Sequence, residues 1–327
     1  DPADVRFVVG DEDVQQGNDS FIRLYFHPVV VGNTQLGPTL DVVPPAGVEY
    51  RTPSFGGARH NITSGYLAFR RDPSGATPNT NSSRVYGTTI NATSLTIGGL
   101  TDLHTAAAVT DYDADWPCVS RASASVDGWV VVWQEYNFAN GNDDWDVMAQ
   151  RVRNGGVLSG WTSLGQDSTP QIHKLRPKVA GTLAEFAIAF TTAPNSGTKP
   201  SSGDGSSVCV QYFDWSALDP LPQSIEIART TAAAAGLTLR LGDGTDNLAF
   251  DSDGGTHWAV LWSEIGVAQR IARLGHDGAI AELAELQVEN GTLHTFTGAA
   301  FYESVNDVFA VVTSAQGGIS PVHGRDF

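Results

Sequence analysis

Three aspartates alternate in Asp111-Tyr-Asp113-Ala-Asp115. Alternate carboxylates can converge on a hard cation that takes oxygen ligands, so this is the best calcium candidate in the chain. Trp116 stands where a tight calcium loop would turn on glycine, and Ala122 where its closing glutamate would sit. The trio therefore fits a looser site, read as three ligands on a loop. Asn142 to Asp146 and Asp243 to Asp253 offer similar but sparser acid, and both suit polar turns.

A second chemistry lies just downstream. Between Gln134 and Trp145 the residues Tyr136, Asn137, Phe138, Asn140, Asp144 and Trp145 interleave aromatic rings with amides and acids. Rings stack on sugar faces while amides and carboxylates bond hydroxyls, so Tyr136, Asn140, Asp144 and Trp145, with Trp116 nearby, are the candidate ligand contacts. The competing reading makes this an ordinary connection in which Trp145 begins the next strand. No Gly-x-Ser-x-Gly elbow, phosphate loop, His-Glu-x-x-His or dinucleotide glycine set is present, so no catalytic residue is assigned. With 36 acids in the chain, two carboxylates at glycosidase spacing will occur by accident, and abundance alone decides nothing. Cys118 and Cys209 fall in different repeats and read as two buried thiols, and no zinc-type spacing exists. Sequons at Asn18, Asn61, Asn81, Asn91 and Asn290 fall in or beside loops.

What must position these residues is a repeat. Gly128-Trp-Val-Val-Val-Trp133 leads through the acidic loop to Asp146-Val-Met-Ala-Gln-Arg-Val152 and a Gly155-Gly156 turn, and His257-Trp-Ala-Val-Leu-Trp262 opens its closest echo. Taking the last apolar residue of that first strand as a marker, Val9, Phe69, Trp133, Phe190, Trp262 and Val312 recur about every sixty residues. A further strand precedes five of the pairs, at 52–55, 116–120, 176–180, 247–250 and 296–301. A fourth follows the glycine turns, as at 157–161 and 224–228. Four short strands per unit, bounded by Gly, Pro, Asn and Asp, make a sheet with two faces to bury, and radial stacking buries both. The reading is an all-β, six-bladed β-propeller with four-stranded antiparallel blades, with five or seven blades open if the chain is cropped. The units run at about 1–48, 49–110, 111–172, 173–242, 243–292 and 293–327, within a single domain over 1–327. A tandem of β-sandwiches is the competing fold, but the units are too short for seven strands. The first unit lacks its inner strand and the last its outer one, which fits either closure by both chain ends or a section cut from a longer polypeptide.

The net charge of −17, from 36 acids against 19 bases, argues against nucleic acid or an anionic membrane as partner, since both need clustered positive charge. No stretch reaches the roughly 18–20 apolar residues of a membrane span.

Asp251-Ser-Asp253-Gly-Gly255-Thr-His-Trp258 resembles the Asp-box of sialidase-type propellers, with Asp251 for the serine and His257 for the threonine. In that family the box is a structural turn away from the chemistry, and it does not recur here. The whole repeat, above all Trp116 to Gly160, is similar to the degenerate propeller repeats of large secreted bacterial proteins. The resemblance implies a secreted or cell-surface location. It also implies a non-enzymatic binding or scaffolding task toward a glycan or an extracellular protein, beside flanking domains of a longer chain. Two other functions stay open: a carbohydrate-active enzyme, glycosidase or polysaccharide lyase, with an axial active site, and a structural spacer. No cofactor is required beyond the calcium expected at Asp111, Asp113 and Asp115.

Overall fold

The structure is a computed structural model. It describes residues 5–10, 21–28, 39–57, 64–73, 82–91, 94–103, 112–120, 128–137, 145–153, 156–157, 162–164, 172–181, 185–194, 207–214, 225–229, 248–252, 257–264, 268–275, 279–286, 296–303, 308–314 and 323–326. Every regular element among these is a β-strand, and all strand pairings except one are antiparallel. The chain groups into two compact units, Asp1–Asn142 with Met148–Gln166, and Asp143–Val147 with Asp167–Phe327.

In the first unit, β1 (Val5–Gly10), β2 (Ile22–Pro28) and β3 (Thr39–Val42) form a three-stranded meander. β4 (Val48–Gly56), β5 (Ser64–Pro73) and β6 (Ser82–Asn91) follow, with the short β7 (Thr96–Ile97) and β8 (Thr101–Asp102) completing the outer edge on β6. The next repeat is β9 (Tyr112–Val119), β10 (Gly128–Asn137) and β11 (Trp145–Arg153), with β12 (Gly156–Val157) and β13 (Thr162–Leu164) both on β11. Of the outer strand expected over 157–161, only Val157 lies among the described residues, in β12. The parallel pairing joins Ser82 and Ser83 of β6 to Tyr112 and Asp113 of β9, so these two repeats share one sheet.

The second unit holds the four-stranded β14 (Ile172–Gly181), β15 (Glu185–Pro194), β16 (Ser207–Asp214) and β17 (Ile225–Arg229). A second four-stranded sheet is β18 (Leu248–Ser252), β19 (His257–Glu264), β20 (Ala268–Gly275) and β21 (Ile280–Leu286). A three-stranded sheet of β22 (Phe296–Glu303), β23 (Val308–Ser314) and β24 (His323–Asp326) ends the chain. The alanine-rich segment around 279–286, helical by composition, is a strand because pairing with β20 outweighs its weak local preference.

The second strands β5, β10, β15 and β19 are covered on both faces, which is why they read as continuous apolar runs rather than alternations. In β10, Trp129, Val131 and Trp133 enter a core with Tyr66, Ala68 and Val85, while Val130 and Val132 are buried on the opposite side. β5 uses its period of two in the same way: Leu67 and Phe69 join Ile22, Leu24 and Tyr50, whereas Tyr66 and Ala68 face β9 and β10. The second unit has an equivalent core of Val208, Val210, Trp258 and Trp262. The repeat markers Phe69, Trp133, Phe190 and Trp262 are all buried. Each such side chain contributes about 1.5–3 kcal/mol of burial. Cys118 and Cys209 are both free, and Cys209 is buried as expected, but Cys118 is half-buried.

The first strand of three repeats carries one shared irregularity. Thr52, Trp116 and Arg176 each precede a proline and each have positive φ, at 45°, 55° and 54°. The pairing register slips at the same place, between Arg51 and Ser54, between Asp115 and Cys118, and between Leu175 and Lys178. These are bulges in which a side-chain-bearing residue holds a conformation that ordinarily favours glycine, at about 1–3 kcal/mol each. The strands consequently begin four residues ahead of where the x-Pro-x-Val pattern places them, and Asp113 and Asp115 belong to a strand, not to a loop.

Gly56 closes β4 against β9. A Cβ there would collide with the Ser120 carbonyl oxygen and the Val119 side chain, whereas Gly99 has no atom within 4 Å of such a position. Gly56→Ala should therefore destabilise by about 1–3 kcal/mol, enough to lower Tm by roughly 2 °C or more, while Gly99→Ala leaves it in place. Parallel thermal melts of the two variants check this.

Candidate functional site

Two residues ahead of each bulge, the first strands change from apolar to ionisable side chains: Glu49 and Arg51 on β4, Asp113 and Asp115 on β9. The end of β5 adds Arg70 and Asp72 on the face that carries Tyr66 and Ala68, and β6 adds Ser83. Register brings them together, since Arg51 pairs with Arg70, Glu49 with Asp72, and Ser83 with Asp113.

Arg70 is the centre. Its Nε donates to Asp72 Oδ1 at 2.7 Å, Nη1 to Asp115 Oδ2 at 2.6 Å and Nη2 to Ser83 Oγ at 2.9 Å, and Asp113 Oδ1 lies 3.9 Å from Nη2. Asp115 Oδ1 accepts from its neighbour's backbone at Trp116 N (2.8 Å) and from Thr52 Oγ1 (3.4 Å). The two positive-φ residues of the adjoining bulges thus hold the same carboxylate. Arg51 ion-pairs with Glu49 and stands 3.7 Å from Asp72. Glu49, Asp72 and Asp113 are buried, with Asp113 only 3% exposed. On β10, Tyr136 sits opposite Asp113 and Gln134 opposite Asp115, and Glu135 accepts a bond from Trp133 Nε1 at 3.0 Å.

The electrostatics single out Asp115 and Arg70. Burial pushes the Asp115 carboxyl above its ordinary value, with Asp113 adding to the rise, and the Arg70 charge and the Trp116 amide recover only part of it. For Arg70, burial opposes the charge but Asp115, Asp72 and Asp113 together more than offset it, so its pKa is raised. A carboxyl raised by burial is thus held against a charged guanidinium, a perturbation of the kind that marks candidate functional sites.

The sequence-derived candidates divide among several places. Asp113 and Asp115, expected to ligate calcium, both approach the Arg70 guanidinium, and Asp111 lies outside the described residues, as do Asn140 and Asp144. Among the described residues no group of three His, Cys, Asp or Glu is arranged to hold a metal. Trp116 stands half-buried at the site and supplies its backbone amide, and Tyr136 flanks Asp113. Trp145 begins β11, as the competing reading had it, with a buried indole and a backbone amide donating to His173 Nδ1 at 3.1 Å. Its ring packs in the interior and so presents no face to a ligand. The Asp-box-like stretch spans the end of β18 and the start of β19, with its turn residues 253–256 outside the described set. Sequence reasoning missed Arg70, Asp72 and Glu49. The available signal was Arg70-Arg-Asp72 at the end of an apolar strand, where charge is unusual unless a partner awaits it.

No protein-family model and no curated protein matches the chain. Solved structures do. An α-L-arabinofuranosidase of Fusarium graminearum, complexed with arabinobiose, is 10% identical with a TM-score of 0.59, over 98% of this chain and 89% of that one. An α-L-arabinanase of Penicillium chrysogenum is 10% identical with a TM-score of 0.54, over 94% and 84%. A mutant Trypanosoma rangeli sialidase displaying trans-sialidase activity is 9% identical with a TM-score of 0.55, over 95% of this chain and 50% of that one. The fold is thus all-β, built of antiparallel sheets like those of propeller-type glycosidases. The likeness extends to a sialidase-type propeller but not specifically to large secreted bacterial repeat proteins. It also corrects the expectation of a non-enzymatic binding or scaffolding module: the three structures described, which share this architecture over 94–98% of the chain, are an arabinofuranosidase, an arabinanase and a sialidase.

Removing the central cation tests the cluster. Arg70→Gln would leave Asp72, Asp113 and Asp115 facing one another, at a cost of about 3–5 kcal/mol near pH 7. Their native pKa values would rise, so the folded form would bind more protons than the unfolded one, and the loss should shrink as pH falls toward about 4. Urea denaturation across that range checks it; an equal loss at both ends would show that packing, not charge, is what Arg70 provides.

Proposed function

We propose that this chain is a glycosidase whose six repeat units are the blades of one β-propeller. Its reacting carboxyls are Asp115 and Asp113 in the β9 strand. The observation that carries the reading is the pairing of a carboxyl raised by burial with a second, nearly inaccessible one two residues along the same strand, both oriented by Arg70. Residues i and i+2 of a strand lie about 6.6 Å apart, within the roughly 5–9.5 Å that separates the two carboxyls of glycosidases. The likeness of fold to arabinofuran-cleaving enzymes and a sialidase supports the class.

In this mechanism Asp115, whose carboxyl is raised by burial, donates its proton to the leaving glycosidic oxygen. Asp113 acts on the anomeric side as base or nucleophile. Arg70 fixes both geometries, and Tyr136, opposite Asp113, flanks the sugar. The substrate class is an α-L-arabinofuranoside, on the strength of the arabinobiose complexes of the structural neighbours. A secreted or cell-surface location and a glycan partner belong to the same proposal.

The purified chain should release sugar from arabinan or an aryl α-L-arabinofuranoside, and Asp115→Asn should reduce kcat by about 10²–10⁴-fold. Because the acid form exists below the Asp115 pKa, activity should fall as pH rises through that raised value, and the limb should vanish in the variant. Release from sialosides alone would move the substrate; release from no glycoside by a folded chain would overturn the reading. For the calcium expectation, Arg70 already supplies the positive charge that Asp113 and Asp115 face, so an ion there must displace it. We expect Tm to be unmoved by calcium or chelator, and a calcium-dependent rise of several degrees would assign the ion to the Asp111 segment.

A further inference from the structure

The opposite face of the same sheet has a different character. There Tyr50, Arg71 and Arg84 lie in one row, with Phe69 beside Tyr86 in the next. Arg71 and Arg84 are directly opposed on neighbouring strands, a like-charge pairing that works against stability. Arg84 is neutralised by Asp102, with Nη1 donating to Oδ2 at 2.9 Å. Arg71 meets no carboxylate among the described residues: its Nη1 donates to the Tyr86 hydroxyl at 2.8 Å, and its guanidinium carbon lies 4.9 Å from the Tyr86 ring centroid. Burial pushes the Tyr50 phenol up while the Arg71 charge pulls it down, so the field of that charge is felt within the sheet. A cavity of about 280 Å³ opens here, lined by Val48, Arg71, Pro73, Arg84 and Tyr86 among others. Asp72 also borders it, but its carboxylate is held by Arg70 on the other face.

We propose that this cavity is a binding subsite for an anionic sugar, the carboxylate of a uronic acid on Arg71 and its ring against Tyr86 and Pro73. It stands apart from the Asp113–Asp115 pair and does not depend on catalysis there. In a chain of 36 acids and 19 bases, two opposed arginines with a single carboxylate between them leave a net positive hole. The guanidinium, already turned by the Tyr86 hydroxyl, presents its remaining N–H groups to a planar acceptor, and carboxylate is the sugar substituent that matches that fork. The volume is at the lower limit of small-molecule sites, about 300 Å³, which suits one or two sugar rings.

The test is calorimetric titration of the wild-type chain with trigalacturonate, its methyl ester, a neutral arabino-oligosaccharide and a sulfated disaccharide, each to about 10 mM. Trigalacturonate should bind, weaken as salt rises, and lose about tenfold in affinity on esterification and in Arg71→Gln. Tyr86→Phe keeps the ring but frees the guanidinium, and should weaken binding by a smaller factor with an unchanged melting curve. Equal binding of acid and ester, undiminished binding in a folded Arg71→Gln, binding of the sulfated sugar without the uronate, or no uronate binding at all would each overturn the proposal. Since the readout is binding, it succeeds or fails independently of any sugar release.

Discussion

One guanidinium organises the charged end of the first unit. Arg70 bonds Asp72 of its own strand, Ser83 of the next and Asp115 of the following repeat, and draws Asp113 close. Carboxyl groups at such density would face one another without it, and an arginine at 12% side-chain exposure would, without them, be a charge taken out of water with no partner. The mutual dependence fixes the register of β5, β6 and β9 more tightly than backbone pairing alone. A one-residue slip would turn Arg70 into the apolar core and Phe69 into the carboxylates.

The bulges explain how acids come to lie in a strand interior. Extended chain alternates strictly, so side chains on either side of Trp116 would keep the faces that period two assigns. The positive φ at Trp116 breaks the alternation, and the Trp116 amide turns to bond Asp115 Oδ1. Thr52, at the matching position of β4, reaches the same oxygen. Backbone strain in two neighbouring strands is thus spent on orienting one carboxyl, a pattern that accompanies functional sites when the surrounding structure over-determines the conformation. The third instance, at Arg176, belongs to the second unit, where the residue in the Asp113 position is the buried His173.

How much of this the sequence displayed depends on how local each cause is. The second strands were plain because an uninterrupted run such as Trp129 to Trp133 is covered on both faces and needs no context to be recognised. The first strands were seen from the residue before the proline onward, but not ahead of it. Asp113-Ala-Asp115 reads as loop when taken alone, and what makes it strand is backbone pairing with β10 and β6, while the arginine that meets its carboxylates lies some forty residues earlier in another repeat. For the same reason the carboxylates could be picked out as a constellation while Arg70 was not: alternate acids announce a positive partner but not whether it is a metal or a guanidinium. Trp116 was noted for occupying a place where glycine would be expected. The structure gives it the glycine-like φ after all, so the sequence position was informative about the backbone. Trp145 shows the converse, an aromatic in a polar loop context that is core because it begins a strand.

The two faces of β5 carry this logic to its end. Its last four residues, Arg70, Arg71, Asp72 and Pro73, alternate between sides of the sheet, so neighbouring arginines are delivered into opposite environments. Arg70 meets several carboxylates and vanishes into a nearly neutral, desolvated cluster where proton affinity is the adjustable quantity. Arg71, one residue on, meets another arginine and a phenol, and keeps its charge at the rim of a cavity. Composition counts the two as equivalent bases in an acidic chain. Only pairing distinguishes them, because a period of two converts adjacency in sequence into separation across a sheet, and lets one strand end serve an acid–base cluster on one side and an anion-seeking hollow on the other.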